Sequence, residues 1–288
     1  MVIELSVRKL LPADKAGFFL LKAKCIGIDI EGGTGDMATE AVRRKIEVWA
    51  HRGASGWDRQ YAPENTMLAF RKAVEMGADG IEFDVQLTKD GEIVICHDER
   101  IDRTSRGKGW LKDYTLAELK QVDFGKPHVE YGFVEIPTLE ELLQFAKPLA
   151  IKLNIELKTG SLYYQGLEEK TVDLVKAFGM QERVLYSSFN HYSLEKLKKY
   201  APDSSVGLLI EGDTVRIPED VQMLNACAVH PPVNIVNPKY VEICHYNNIK
   251  VHTWTVDNPK VMREMINLGV DAFITDCPDS GRKVVDGG

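Results

Sequence analysis

The chain has 288 residues, 44% hydrophobic and 27% charged, which are ordinary proportions for a globular protein able to bury a sizeable core. Its net charge of −7, without any long Lys/Arg run, argues against nucleic acid as a partner, and an anionic substrate would need a local positive centre. Five scattered cysteines without CxxC spacing fit neither a disulfide framework nor a structural zinc site.

Residues 1–44 stand outside the pattern that follows and read as an N-terminal extension of unassigned role. Within them, "KAGFFLLKAKCIGI" is broken by Lys22 and Lys24 and falls short of the roughly 20 apolar residues of a membrane span. The expectation is a cytoplasmic protein without stable membrane insertion. "GIDIEGGTGD" is glycine-rich, but no strand and helix flank it at phosphate-loop spacing.

From residue 45 onward, short apolar runs alternate with helical periodicity. "IEVWA" (46–50) reads as a strand, and "ENTMLAFRKAVEMG" (64–77) as a helix stopped by Gly77. "GIEFDVQL" (80–87) is a second strand, followed after the turn "KDG" by the short extended run "EIVICHD". Residues 98–137 are irregular apart from a helix signal in "TLAELKQV". "TLEELLQFA" is a helix opened by Pro137 and Thr138. The alternation then resumes with "KLNIELK" (152–158), a helix near 167–179, "RVLYSSF" (183–189), the helix "SLEKLKKYA" and "SVGLLIE" (205–211). A short helix precedes "ACAVHPP" (226–232), and a helix over 238–247 precedes "KVHTWTV" (250–256). "PKVMREMINLG" is the last long helix and "DAFITDCP" the last strand. Eight strand–helix units in roughly 240 residues predict an α/β fold, a (β/α)8 TIM barrel, better than an open sheet.

In such a barrel chemistry belongs at the C-terminal ends of the strands, and the polar residues collect there. His51 and Arg52 end the first strand; Glu82 and Asp84 share one face of the second, two residues apart. His97 ends the short run after it. Glu156 and Lys158 share a face of "NIELK", and His252 and Trp254 a face of "HTWTV". Three carboxylates on neighbouring strands, with no cysteine among them, suit a hard divalent cation, Mg²⁺ or Ca²⁺, which would relieve their mutual repulsion. Arg52 and Lys158 would add donors to a phosphate. His51 and His97 suit acid–base work on either side of it. Each also has a plainer reading: Glu156 and Lys158 as an ion pair inside the barrel, His97 as a turn cap, Trp254 as core, His230 and His252 as satisfied interior histidines.

The strings "AHRGASG", "APENTMLAFRKAVEMGADGIEFDVQLTKDGEIVICHD", "DRTSRGKGWLKDYTLAELKQVDFG", "IPTLEELL", "NIELK" and "DAFITDCPD" resemble the glycerophosphodiester phosphodiesterase family across about residues 46 to 280. The resemblance implies one TIM-barrel domain over 45–288 with a small insertion, about 98–137, after the second strand region. It implies His51 and His97 as the acid–base pair, Glu82, Asp84 and Glu156 as metal ligands, and Arg52 and Lys158 at the phosphate. Trp254 resembles the aromatic residue lining the alcohol end of the substrate. The implied reaction is metal-dependent hydrolysis of glycerophosphodiesters to sn-glycerol 3-phosphate and an alcohol. The link "GWDRQYA" is longer than is usual in the family and is expected to border the mouth.

Two other readings compete: a phospholipase-type barrel acting on intact lipids, which vesicle co-sedimentation would separate, and a non-catalytic phosphodiester-binding barrel, which a turnover assay with and without EDTA would separate. Head group, metal identity, the division of labour between the histidines, and pairing of the outer helices into a homodimer are left open by the residues.

Overall fold

The computed structural model describes residues 46–56, 60–126, 128–212 and 217–287. The expected extension 1–44 lies outside them, as does part of the "GWDRQYA" link. The strands are β1 (Glu47–His51), β2 (Gly80–Leu87), β3 (Ile93–Ile95), β4 (Lys152–Leu157), β5 (Val184–Ser188), β6 (Ser205–Leu209), β7 (Ala228–His230), β8 (Lys250–Thr253) and β9 (Ala272–Thr275). Helices α1 (Met67–Glu75), α2 (Leu116–Leu119), α3 (Leu139–Ala146), α4 (Leu167–Phe178), α5 (His191–Tyr200), α6 (Ile217–Leu224), α7 (Pro238–Tyr246), α8 (Pro259–Leu268) and α9 (Pro278–Val285) lie between and after them.

All strands but β3 run parallel, and β1 pairs with both β2 and β9, so the sheet closes on itself into the expected eight-stranded barrel. β3 hairpins back antiparallel onto the end of β2, with Val85 opposite Ile95. The segment 98–137 therefore interrupts the second strand–helix unit, between β3 and α3. It has a small core of its own, in which Ile101, Leu111, Leu119, Phe124 and Ile136 pack with Val94 and Cys96.

Alternation sorts every strand residue to one of two cores. Ile81, Phe83 and Val85 face outward, into the apolar layer beneath the helices, together with Leu139, Leu142 and Leu143 of α3. The inward face is far more polar, and Trp49, Leu185, Ala272 and Ile274 form its apolar floor. Gly80 seats that floor: a Cβ there would stand 2.5 Å from the Trp49 indole.

Side-chain caps start α1 and α3, and α1 opens at Met67 rather than at the expected Glu64. Thr66 accepts from the Ala69 N–H, and Thr138 with Glu141 makes the full capping box of α3. Helix α9 is the element the periodicity did not reveal. Its "PDSGRKVV" follows the last expected strand and carried no assignment, and Gly281 packs tightly on the barrel, with Val48 Cγ1 2.8 Å from the position of a Cβ. No helix among the described residues is long and apolar enough to cross a membrane.

Candidate active site

The C-terminal ends of the strands open into one cavity of about 470 Å³. Its lining includes His51, Arg52, Glu82, His97, Glu156, Lys158 and Trp254. Asp84, the eighth predicted residue, lies immediately beneath. One oxygen from each of Glu82, Asp84 and Glu156 can be chosen so that all lie within 4.8 Å of one another. Pairing of β2 with β4 sets Asp84 directly opposite Glu156, so the cluster follows from strand register.

Crowding buried carboxylates has electrostatic consequences. Burial, then the Asp84 charge, pushes Glu82 well above the usual carboxylate range. Glu156 moves up for the same two reasons, with Lys158 opposing. Asp84 goes the other way: burial would raise it, but His97, Lys158 and Arg52 and a 2.8 Å hydrogen bond from Asn65 Nδ2 hold it low. Asp84 Oδ1 is buried with no hydrogen-bond partner. An all-oxygen set with an unsatisfied anionic atom fits a hard divalent cation.

Arg52 owes its place to a left-handed backbone, φ 52°, in the tight turn "HRG". The turn aims the Arg52 N–H at Glu82 Oε2, 3.0 Å away, while Nη1 donates to Glu64 at 2.8 Å. Nε is buried without a hydrogen-bond partner, 3.8 Å from Asp84. Lys158 donates to Glu156 at 2.9 Å and sits 3.7 Å from Asp84 Oδ1. The ion-pair reading of Glu156 and Lys158 is therefore realised, within the same cavity as the carboxylate cluster. Trp254 follows β8, its Nε1 donates to the His230 carbonyl, and its ring meets Phe189 edge-on at 5.8 Å.

Both histidines are tethered by aspartates. His51 Nδ1 lies 2.8 Å from Asp276 and His97 Nδ1 2.6 Å from Asp98. A carboxylate at Nδ1 favours the proton there and leaves Nε2 for other work. Burial and the Arg52 cation push His51 down, but the Asp276 hydrogen bond and the Asp276 and Glu82 charges outweigh them, and the net shift is upward.

Asp276, Asp98, Glu64, Asn65 and Arg103 were not singled out from the sequence. Asp276 had a usable signal, since it stands at the end of β9 where barrel chemistry collects. Glu64 and Asn65 lie in "PENT" and Arg103 in "DRTSRG", which carried the resemblance without assigned roles. His230 and His252 are interior, as expected, with rings stacked at 5.1 Å, but His230 is not satisfied: neither of its ring nitrogens has a hydrogen-bond partner.

A closed barrel with acidic, basic and imidazole groups converging at its strand ends has the layout of a TIM-barrel enzyme. The glycerophosphoryl diester phosphodiesterase family model matches residues 51–280, and the chain belongs to that family. It is 44% identical over 237 residues to a glycerophosphodiester phosphodiesterase of Caldanaerobacter subterraneus subsp. tengcongensis, covering 82% of this chain and 96% of the relative. It is 40% identical to another from Bacillus altitudinis, over 83% of this chain and 97% of the relative. Among solved structures, an Oleispira antarctica phosphodiesterase in complex with its product sn-glycerol-3-phosphate superposes with a TM-score of 0.77. It is 32% identical, over 84% of this chain and 97% of the other.

Proposed function

We propose that the chain hydrolyses glycerophosphodiesters to sn-glycerol 3-phosphate and an alcohol, with His51 and His97 as the acid–base pair. The observation that carries this reading is the convergence of two aspartate-tethered imidazoles and a three-carboxylate cluster on one cavity. A binding barrel has no need of tethered histidines. A divalent cation, Mg²⁺ or Ca²⁺, held by Glu82, Asp84 and Glu156 would polarise a non-bridging phosphate oxygen.

The chain's own residues do the rest. Arg52 Nε, buried and without a hydrogen-bond partner, and the Lys158 ammonium face negative charge and are suited to the oxygens that gain it in the transition state. One imidazole takes a proton at its free Nε2 from the attacking oxygen, either of water directly or of a glycerol hydroxyl whose cyclic phosphate water then opens. The other gives a proton to the departing alkoxide from the same atom. Trp254 and Phe189 form an apolar wall where the organic part of the diester would rest. The four cysteines among the described residues are free, in keeping with action in the reducing cytoplasm.

The test is turnover of a glycerophosphodiester panel with and without EDTA, alongside His51→Ala and Glu82→Ala. Folded variants with most activity lost are expected. Near-normal turnover by either would remove its assigned role, and tight binding without turnover under any divalent metal would support a sensor instead.

A further inference from the structure

Within the segment 98–137, Arg103 links two carboxylates that reach the site. Arg103 Nε and Nη2 donate to the two oxygens of Asp98 at 2.6 and 2.9 Å, and its Nη1 and Nη2 donate to the two oxygens of Glu64 at 2.6 and 2.8 Å. Both faces of the guanidinium fork are thus filled by bidentate carboxylate contacts, the geometry that makes arginine irreplaceable by lysine. Each carboxylate has a second partner inside the site: Asp98 holds His97 Nδ1, and Glu64 holds Arg52 Nη1. The chain of contacts runs His97, Asp98, Arg103, Glu64, Arg52. Its two ends are the imidazole on one flank of the cavity and the phosphate-facing cation on the other.

The fork stabilises both carboxylates in these places. Glu64 is almost buried. Burial alone would raise it, but the Arg103 hydrogen bonds and the Arg52 and Arg103 charges bring it down to about 2. Asp98 is likewise held low, by His97 and Arg103 against its burial. Arg103 itself does not line the cavity, so it acts on the reaction only through its neighbours.

We propose that Arg103 is a positioning residue that fixes His97, through Asp98, relative to Arg52, through Glu64, and so sets the turnover rate of an enzyme whose substrate it never touches. The proposal rests on the catalytic reading of His97. Arg103→Gln is expected to lower kcat per folded molecule about 10- to 100-fold, the usual cost of loosening a catalytic group, with KM little changed and the thermal midpoint lowered, because Glu64 keeps only one of its two cations. Arg103→Lys, which keeps the charge but not the fork, is expected to recover only a minor part. Because Asp98→Asn breaks the same tether, the double variant Asp98→Asn/Arg103→Gln should turn over no more slowly than the slower single variant.

Wild-type kcat in folded Arg103→Gln, or losses that multiply in the double variant, would overturn the proposal, as would a loss matched by the unfolded fraction. If Arg103→Gln does not fold, kcat and KM of Asp98→Asn carry the test alone, and an unchanged kcat there overturns it. His97→Asn is the control: near-normal turnover in that variant would sink the catalytic reading itself, whereas an inactive His97→Asn beside a fully active Arg103→Gln sinks only the positioning role.

Discussion

His51 and Asp276 meet at 2.8 Å although 225 positions separate them. The contact exists because β1 pairs with β9 in register, Ala50 opposite Thr275, which brings the two strand ends together at the seam where the barrel closes. The same seam holds the Gly56 N–H on the Asp276 carbonyl.

Asp276→Asn follows from that geometry. The carboxylate accepts from His51 Nδ1–H, and an asparagine can turn its amide nitrogen to the ring and stabilise the opposite tautomer, with no proton on Nδ1. kcat should fall at least about 100-fold, in keeping with what tautomer errors cost elsewhere, while the thermal midpoint moves little because Asp276 is partly exposed. Steady-state kinetics and a thermal melt on one preparation check both halves.

Glu82→Gln should separate stability from activity. Glu82 is held nearly buried beside Asp84 and Glu156, and its removal as a charge relieves that repulsion. Its Oε2 accepts from the Arg52 N–H, a bond the glutamine oxygen can keep. In EDTA the variant should melt above the wild type. With saturating divalent metal the order should reverse, because only the wild type gains the full binding stabilisation, about 2.7 kcal/mol at a hundredfold excess over Kd. Melts in both conditions decide it, and turnover should be lost throughout.

These residues also mark how far the sequence could be read. The two-residue period of a strand makes Glu82 with Asp84, and Glu156 with Lys158, legible as pairs on one face. The rule that barrel chemistry sits at strand ends then brings the pairs together. What the period cannot give is the partner of each group. Asp276 and His51 are joined by barrel closure, and Glu64 and Arg103 by the docking of an irregular segment. Neither joining leaves a local pattern. Helix α9 escaped for a related reason: Gly281 is dictated by close packing on β1, and packing overrides the propensity by which helices are recognised.

Interior imidazoles give a pH dependence with a defined sign. Burial first, then the Lys250 and Lys152 charges, lowers His252 to about 3, and His230 is also lowered, by burial and by His252. The unfolded chain takes up a proton near pH 6.5, while the folded chain resists it until far lower. Folding stability contributed here is therefore full above about pH 6.5 and is lost as pH falls towards 3. For His252 alone the loss between pH 7 and about pH 5 is about 2 kcal/mol. Urea midpoints of wild type and His252→Phe at the two pH values isolate it, since the other titrating groups are common to both proteins. The wild type should lose about that much more than the variant on acidification.

Gly207 on β6 faces the same imidazoles, and a Cβ there would stand 2.5 Å from His230 Nε2 and 2.9 Å from its Cε1. His230 is fully buried and stacked on His252, which in turn packs on Trp49, so retreat of the ring towards His252 is blocked. Gly207→Ala should therefore destabilise by about 1–3 kcal/mol, the range for overpacking a filled core, although alanine suits a strand better than glycine. The cause is the ring and not the backbone, because Gly207 does not adopt a positive φ. Shortening the ring should then rescue the substitution: Gly207→Ala should cost far less in a His230→Ala background than alone. A double-mutant cycle of urea unfolding measures this coupling, and additive losses would mean that the clash is relieved by some other movement of β6.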